Sequence, residues 1–437
     1  MSWAYQPLLP SSATLLSGTT AGSLFKAGTI TSPTTTGSAS FTGVGFRPKV
    51  ILLFFEKQTA TGSGVDYLHG AGFAYSNTNR RAVSSVYLDG VAGGTINMAR
   101  AQSNEHVLYA YNTTAGSTSA FLVADLISFD VDGFTLDFNT VQGSGYLIGY
   151  VALGGDNLTN VAIKDVQAPA APGSQAYTGV GFQSDAIITI SNSDTSAGPG
   201  SSHNAGARIM MGFGTSTDSK TIATLGDDVV TVKKHAKVQK TDIAIGIDGT
   251  VPSVLFEATL TSLDSDGFTW NWSTTSLNRY VFVLCLKGGN YKVGTFNQAT
   301  STGNQSITGA GMQPSGVILT SANAASSTSI ATNNDFSIGA ASSSSSRFGM
   351  WLGSSGDPTV VDHYYDQSNV LQMYTEGTPT QVTTADYVSN DSDGFTINNT
   401  TVDGTSREVV YFAFGTAPAG ATEDTYPYFD GGYYPTQ

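Results

Sequence analysis

Cysteine and charge are scarce in this chain of 437 residues, and each scarcity excludes a class of protein. The single cysteine, Cys285, lies in the apolar run YVFVLCLKGG. It can form neither an intramolecular disulfide nor a cysteine metal cluster, and we expect a buried thiol. Only 12% of residues are charged, and 19 basic against 33 acidic residues give a net charge of −14. Because affinity for a phosphate backbone depends on clustered Lys and Arg, we expect no nucleic-acid partner.

Long hydrophobic runs and helical periodicity are lacking as well. The longest apolar run, VILLFF at 50–55, is too short to cross a bilayer as a helix and predicts a buried strand. The N-terminal MSWAYQPLLP lacks the basic start and continuous apolar core of a secretory signal, and it contains Pro7 and Pro10. We therefore expect no signal peptide and no membrane insertion. No window of helical length carries a sustained 3.6-residue apolar stripe.

The chain does contain three copies of one pattern, about 130 residues apart. Each copy has a glycine turn followed by an apolar strand: FTGVGFRPKVILLFF, YTGVGFQSDAIITI or ITGAGMQPSGVILT. Each later has DVDGFT or DSDGFT and then a closing apolar strand such as YLIGYVALGG. This spacing predicts tandem repeats at 25–156, 157–289 and 290–416, flanked by arms at 1–24 and 417–437.

Within a repeat, the apolar runs are short, rich in β-branched and aromatic residues, and separated by turn residues. FTLDF and FTWNW alternate between apolar and polar positions, as strands with one buried face do. The pattern predicts an all-β protein of three tandem antiparallel β-sandwich domains, jelly-roll or immunoglobulin-like, strung along an extended molecule. The serine run at 342–346 predicts a flexible surface loop.

The recurring Asp-x-Asp-Gly motif joins two strand-like runs at hairpin distance. Asp-Gly is favoured at the two central positions of a type I′ turn, and this explains the motif as a structural turn. An EF-hand calcium loop would need an oxygen ligand and a Glu where Phe134 and Val141 stand. Weak calcium binding with other loop residues remains an open alternative. The turn residues are Asp132, Gly133, Asp266, Gly267, Asp393 and Gly394.

Residue patterns with a catalytic mechanism are lacking. The five histidines follow no metal or catalytic spacing, and the sequence has neither a phosphate-binding loop nor a dinucleotide fingerprint. We therefore assign no catalytic, metal or cofactor-binding residue and expect a protein that is not an enzyme. A carboxylate pair for glycoside hydrolysis remains open, since its geometry is made in space.

Three tryptophans give two alternatives. Trp270 and Trp272 share one face of the FTWNW strand, and Trp351 lies in the third repeat. Alternating aromatics on a strand are typical of a sandwich interior, but exposed rings would form a platform for stacking a sugar.

The two arms differ in composition from the repeats. Both combine prolines with aromatic or large apolar side chains, which are favoured at interfaces. They are candidates for anchoring the protein to a partner, and folding back onto the neighbouring domains is an equal alternative. The anchoring candidates are Trp3, Tyr5, Leu8, Leu9, Tyr426, Tyr428, Phe429, Tyr433 and Tyr434.

These residues carry a resemblance. MSWAYQPLLP resembles the start of many structural proteins of tailed bacteriophages, and the series TGVGFRPKVILLFF, DVDGFTLDF and GYLIGYVALGG is similar to repeated β-domains of phage virion proteins. The second repeat departs from the pattern at Ser184, where the other two have proline. The resemblance implies a fibre, spike or decoration protein of the virion, made in the host cytoplasm and attached to the head, neck or tail. It supplies no catalytic residue and no cofactor.

The same resemblance implies partners. They are other virion proteins, such as capsid, portal, neck or tail subunits, and further copies of the chain in a symmetric homo-oligomer. A trimer is the number that the symmetry of fibres suggests. The alternative is a carbohydrate- or receptor-binding module of a tail fibre that recognises host surface glycans.

Overall fold

The computed structural model describes residues 22–88, 98–114, 117–203, 206–227, 234–248, 252–324, 329–354, 361–375 and 380–416. Every regular element in these ranges is a β-strand, and neighbouring strands are antiparallel, as β-strands Leu24–Thr31 and Leu147–Gly154 are. The predicted all-β, antiparallel sandwich class is thus confirmed.

Within the described ranges, each repeat supplies eleven strands. The first has β1 (Leu24–Thr31), β2 (Gly37–Thr42), β3 (Pro48–Phe55), β4 (Gly62–Val65), β5 (Tyr67–Ala74), β6 (Arg80–Tyr87), β7 (Met98–Ser103), β8 (Leu108–Thr114), β9 (Ser117–Asp130), β10 (Gly133–Thr140) and β11 (Leu147–Gly154). The second has β12 (Asn160–Gln167), β13 (Gly173–Thr178), β14 (Ala186–Ser191), β15 (Gly200–His203), β16 (Ala207–Thr215), β17 (Ser219–Asp227), β18 (Lys234–Lys240), β19 (Ala244–Asp248), β20 (Ser253–Asp264), β21 (Gly267–Thr274) and β22 (Tyr280–Lys287). The third has β23 (Asn290–Asn297), β24 (Gly303–Thr308), β25 (Gln313–Ser321), β26 (Ala331–Thr332), β27 (Asn334–Ser343), β28 (Ser346–Ser354), β29 (Val361–Asp366), β30 (Leu371–Tyr374), β31 (Gln381–Asp391), β32 (Gly394–Val402) and β33 (Glu408–Thr416).

These strands form three pairs of sheets with the same topology. In the first repeat, β1-β11-β3-β5-β6-β7 make up most of a seven-stranded sheet, and β2-β10-β9-β8 form a four-stranded sheet. The equivalent sheets of the second repeat are β12-β22-β14-β16-β17-β18 and β13-β21-β20-β19. Those of the third are β23-β33-β25-β27-β28-β29 and β24-β32-β31-β30.

The seventh strand of each larger sheet comes from another repeat. β15 of the second repeat pairs with β7 of the first, β26 of the third pairs with β18 of the second, and β4 of the first pairs with β29 of the third. The exchange therefore closes a cycle through all three repeats. One chain forms a ring-like arrangement with pseudo-threefold symmetry.

The described hydrophobic residues form one main core per repeat, a small additional cluster in the first repeat, and a further core that all three repeats share. Consecutive residues of equivalent strands point to the two sides of the larger sheets. Ile51, Ile187 and Val317 lie in the three separate sandwich cores, whereas Leu52, Ile188 and Ile318 lie in the shared one. In the shared core, the ring centroids of Phe54 and Phe348 are 5.7 Å apart, and those of Phe213 and Phe412 are 5.3 Å apart. The larger sheets bury their second faces against one another, so the three repeats pack together and are not strung along an extended molecule as expected.

The described chain begins and ends at the same place. The amide of Ser23 donates to Oγ1 of Thr416 at 3.3 Å, and the amide of Asn157, between the first two repeats, donates to the carbonyl of Gly22 at 3.4 Å. We call this region, defined by Gly22, Ser23, Asn157 and Thr416, the junction end. Because the repeats exchange strands, their division into separate domains stays a prediction.

Several local predictions can be checked against burial. VILLFF is a buried strand, and FTLDF buries Phe134, Leu136 and Phe138 while Thr135 and Asp137 stay partly exposed, as predicted. Cys285 is buried, which raises the pKa of its thiol to about 12. The serine run at 342–346 lies at the surface as predicted, with Ser344 and Ser345 exposed, and it forms a tight hairpin in which Ser343 pairs with Ser346.

Candidate functional site

The three Asp-x-Asp-Gly motifs lie in equivalent hairpins of the four-stranded sheets. β9 ends at Asp130 and β10 begins at Gly133; these residues pair, so Val131 and Asp132 form the two-residue loop. The same pairing joins Asp264 to Gly267 and Asp391 to Gly394. A turn is present at each predicted place, but the predicted type is wrong. The glycine is a strand residue, and the preceding aspartate lacks the positive φ that a type I′ turn needs.

The second aspartate of each motif binds the glycine-rich loop at the start of its own repeat. Asp132 accepts hydrogen bonds from the amides of Gly43 at 3.0 Å and Gly45 at 2.5 Å. The equivalent contacts are Gly179 and Gly181 to Asp266, at 3.1 and 2.6 Å, and Gly309 and Gly311 to Asp393, also at 3.1 and 2.6 Å. The amides of Gly181 and Gly179 favour the charged carboxylate and lower the pKa of Asp266. The two recurring motifs are therefore the two sides of one contact.

The first aspartate of each motif is bound within its own hairpin. Asp130 accepts hydrogen bonds from Ser128 and Thr135, both at 2.8 Å. The equivalent donors are Ser262 and Thr269 to Asp264, at 2.6 and 2.7 Å, and Ser389 and Thr396 to Asp391, at 2.7 and 2.6 Å. In the part of the chain that the structure describes, no group of three or more His, Cys, Asp or Glu residues is placed to hold a metal ion. Hydrogen bonding within the fold accounts for the recurrence of both carboxylates.

The three tryptophans are core residues. Trp270 and Trp351 are 0% exposed and Trp272 is 1% exposed. Trp272 Nε1 donates to the hydroxyl of Tyr177 at 3.0 Å, and Trp351 Nε1 donates to Asp335 at 3.1 Å. The sugar-stacking alternative is wrong for these residues, because a stacking platform needs an exposed ring face and the sandwich interior covers all three.

The predicted anchoring residues lie outside the described residues. They belong to 1–21 and 417–437, and the structure describes the chain only from Gly22 to Thr416. The positions at which these two segments join the described part are adjacent at the junction end.

A histidine–aspartate pair that sequence reasoning missed lies in the first repeat. Nδ1 of His106 is 2.7 Å from Oδ1 of Asp125, and the imidazole stacks on Tyr109 with ring centroids 5.0 Å apart. Burial alone would raise the pKa of Asp125, but hydrogen bonds from His106 and Asn139, with the charge of Arg80, lower it. The pair orients an imidazole, although in the described structure no nucleophilic side chain bonds to that ring; Ser103 accepts only from the backbone amide of His106, at 3.2 Å. Because the two residues are 19 positions apart, spacing gave no signal for them.

Side chains from all three repeats meet at His235. Its Nδ1 is 2.6 Å from Oγ of Ser354, and its ring stacks on Tyr87 with centroids 5.3 Å apart. A serine–histidine contact of this length occurs in hydrolases. Here Ser354 is 0% and His235 is 4% exposed, so a substrate has no access and the contact belongs to packing between repeats.

A carboxylate pair lies in the second repeat. Burial and the charge of Glu257 raise the pKa of Asp242 to about 6. Burial alone would raise the pKa of Glu257, but hydrogen bonds from Lys240 and Ser273 lower it. Two carboxyl groups with separated pKa values can serve as acid and base. Asp242 is only 7% exposed, which leaves little room for a polymer to reach it.

Comparisons with known proteins give the chain no family. No protein-family model matches the sequence, and no curated protein matches it either. Among the described residues, no helix is long and apolar enough to cross a membrane.

Proposed function

We propose that this protein is a structural component of a tailed-bacteriophage virion, of the fibre, spike or decoration type, attached to the head, neck or tail. The observation that carries the proposal is the closed arrangement of three repeats whose two described ends meet at one place. Such a body can be held at one end while its sheets and hairpins stay exposed. The resemblance of MSWAYQPLLP and of the repeats to phage structural proteins supports the same role.

Attachment through the junction end follows from the position of the chain ends. Residues 1–21 join the described chain at Gly22 and residues 417–437 join it at Thr416, and these two positions are adjacent at the junction end. The two segments can therefore engage one partner together, so that the effective concentration of the second contact is raised by the first. The proposed partner is another virion protein: a capsid, portal, neck or tail subunit.

The predicted homo-oligomer remains part of the proposal. The threefold arrangement that a fibre usually gains from three chains exists here within one chain. A single copy can therefore occupy a threefold position, and a trimer of chains would be a trimer of such bodies. The molar mass in solution distinguishes a single chain from a trimer of chains, since one chain is 45.4 kDa.

Cryo-electron microscopy of purified particles tests the proposal. We expect density for the three-repeat body on the particle, with the junction end facing it. Replacing Trp3, Tyr5, Leu8 and Leu9 with alanine should abolish incorporation, whereas the control Ser11→Ala with Ser12→Ala in the same segment should leave it intact. Particles that lack the protein would exclude a virion role, and a body attached by its opposite end would exclude the proposed anchor.

A carbohydrate-binding role is the second candidate. It no longer depends on the tryptophans, and the observation that favours it is a cationic groove between the first and second repeats.

A further inference from the structure

A groove of about 410 Å³ opens at the boundary of the first two repeats. Arg47, Lys49, Tyr75 and Phe129 of the first repeat line it, together with Thr159 and Val161 at the start of the second. Phe129 packs against the core of the first repeat, whereas Tyr75 and Val161 pack against the shared core, so the groove lies at the boundary between these two cores.

The two cations of the groove have no carboxylate partner in the described structure. Arg47 is exposed, and its side chain makes no hydrogen bond or ion pair with any described residue. Lys49 donates from Nζ to the carbonyl of Leu158 at 2.7 Å and keeps its charge uncompensated. In a chain with a net charge of −14, two such cations in one concave surface produce a local positive potential.

The other repeats show that the fold does not require this arrangement. Position 47 is Gln183 in the second repeat and Gln313 in the third. Each glutamine donates from Nε2 to the carbonyl of the residue that stands where Phe129 does: Gln183 to Leu263 at 2.7 Å, and Gln313 to Asn390 at 3.3 Å. The second and third repeats therefore share this hydrogen bond from the glutamine to the backbone of β20 or β31. In the first repeat, Arg47 does not form the equivalent bond to Phe129.

The aromatic wall of the groove is likewise confined to the first repeat. Tyr75 is replaced by Thr215 and Ser342 at the equivalent positions, and Phe129 by Leu263 and Asn390. Lys49, in contrast, has a structural role that the other repeats share. It forms a hydrogen bond with the backbone of Leu158, and its counterparts Asp185 and Ser315 also form hydrogen bonds with backbone groups. Arg47 is thus the residue whose presence the packing leaves unexplained, since Tyr75 packs against the shared core and Phe129 packs against the core of the first repeat.

We propose that this groove binds an anionic saccharide, a sugar residue bearing a carboxylate or phosphate. The planar guanidinium of Arg47 can bind such a group through two parallel hydrogen bonds. Burial raises the pKa of Tyr75, so its hydroxyl stays protonated and can donate to a sugar oxygen while its ring covers apolar C–H groups. The volume is in the range of small-ligand sites, roughly 300–1,000 Å³, which favours one or two sugar rings over an extended acidic peptide.

This inference deepens the adhesive side of the proposed function, and only its biological meaning rests on that function. Binding can be measured on the isolated full-length chain. Failure to bind sugars leaves the virion role untouched, and absence from the particle leaves the groove untouched.

Calorimetric titration with a tri-galacturonate and with a phosphorylated oligomannose tests the proposal, with the uncharged forms of both sugars as references. We expect at least one anionic sugar to bind and its uncharged form to bind at least about tenfold more weakly, as loss of a charged hydrogen-bonded pair implies. The variant Arg47→Gln copies the second and third repeats and should fold normally, yet it should weaken binding by a similar factor. Tyr75→Thr, which copies the second repeat, should also weaken it.

The matched control is Lys220→Gln, which removes the same charge from another part of the surface and should leave the affinity unchanged. Equal binding by Arg47→Gln and the unmodified protein would overturn the proposal. So would an absence of binding to both anionic sugars, or tighter binding of an acidic aromatic peptide of the same charge.

Discussion

At the scale of the residue, the glycine of each Asp-x-Asp-Gly motif is fixed by a close backbone approach. Gly267 has a φ of 142°, and a Cβ added to it would lie 1.9 Å from the carbonyl oxygen of Tyr177. We expect Gly267→Ala to reduce the free energy of unfolding by roughly 2–4 kcal/mol, since it combines backbone strain with a clash against a neighbouring strand. Urea denaturation of the two proteins measures the difference.

Gly173→Ala is the matched control for this substitution. Gly173 has a φ of 136°, but a Cβ there would have no heavy atom within 4 Å. The control therefore introduces the backbone strain without the steric clash, and it should reduce the free energy of unfolding by clearly less than Gly267→Ala does. If both variants lose the same stability, the approach to Tyr177 is not what requires glycine.

The Asp-x-Asp-Gly motif shows which features of the turn could be predicted from the sequence and which could not. Asp-Gly between two apolar runs was sufficient to predict a turn at Asp132 and Gly133. The turn type was mispredicted because the aspartate is held by Gly43 and Gly45, 89 and 87 residues away in sequence. Short-range preferences cannot include a bond whose partner is placed by the tertiary fold.

At the scale of the element, β4 of the first repeat extends the larger sheet of the third repeat by pairing with β29. Gly64 pairs with His363, and a Cβ at Gly64 would lie 2.5 Å from Cε1 of His363 and 2.6 Å from Nε2 of Gln58. We expect Gly64→Val to displace β4 and to reduce the free energy of unfolding by roughly 1–3 kcal/mol. Hydrogen exchange should accelerate in β29, which belongs to the third repeat although the substitution is in the first.

Ser63→Val serves as the control for β4. Ser63 is exposed on the same strand, where a β-branched residue is well tolerated. This variant should leave exchange in β29 unchanged. Protection of β29 that is indifferent to Gly64→Val would mean that the third sheet does not depend on the exchanged strand.

Strand exchange itself was beyond sequence reasoning for a physical reason. Strands such as VILLFF and FTLDF can be predicted from their apolar residues, and the structure confirms them. β4 has the sequence GSGV, and β26 contains only Ala331 and Thr332, so neither carries an apolar pattern. The positions of β4 and β26 are determined by backbone pairing between different repeats. The periodicity of side chains in the sequence contains no information about such pairing. The groove at Arg47 was missed likewise, because Phe129 and Thr159 approach it only in the folded chain.

At the scale of the whole molecule, the shared core and the exchanged strands make the three repeats interdependent. Each larger sheet completes itself with a strand from another repeat and buries its second face against the others. An isolated repeat would lose one strand and expose a large apolar face, at about 25 cal/mol for each Å² returned to water. Independent tandem domains would instead unfold one by one.

Tryptophan fluorescence can distinguish these two cases. In a protein whose Trp3 is already replaced with phenylalanine, replacing Trp351 as well leaves Trp270 and Trp272 to report on the second repeat. Replacing those two instead leaves Trp351 to report on the third. After adding Gly64→Val to each protein, we expect both reporters to show a single transition and the same downward shift of the denaturation midpoint. Because the three repeats share one core, a substitution that destabilises the first repeat should destabilise the second and third repeats by the same amount. A shift confined to the third repeat, or two separate midpoints, would show that the repeats are independent domains joined only by their linkers.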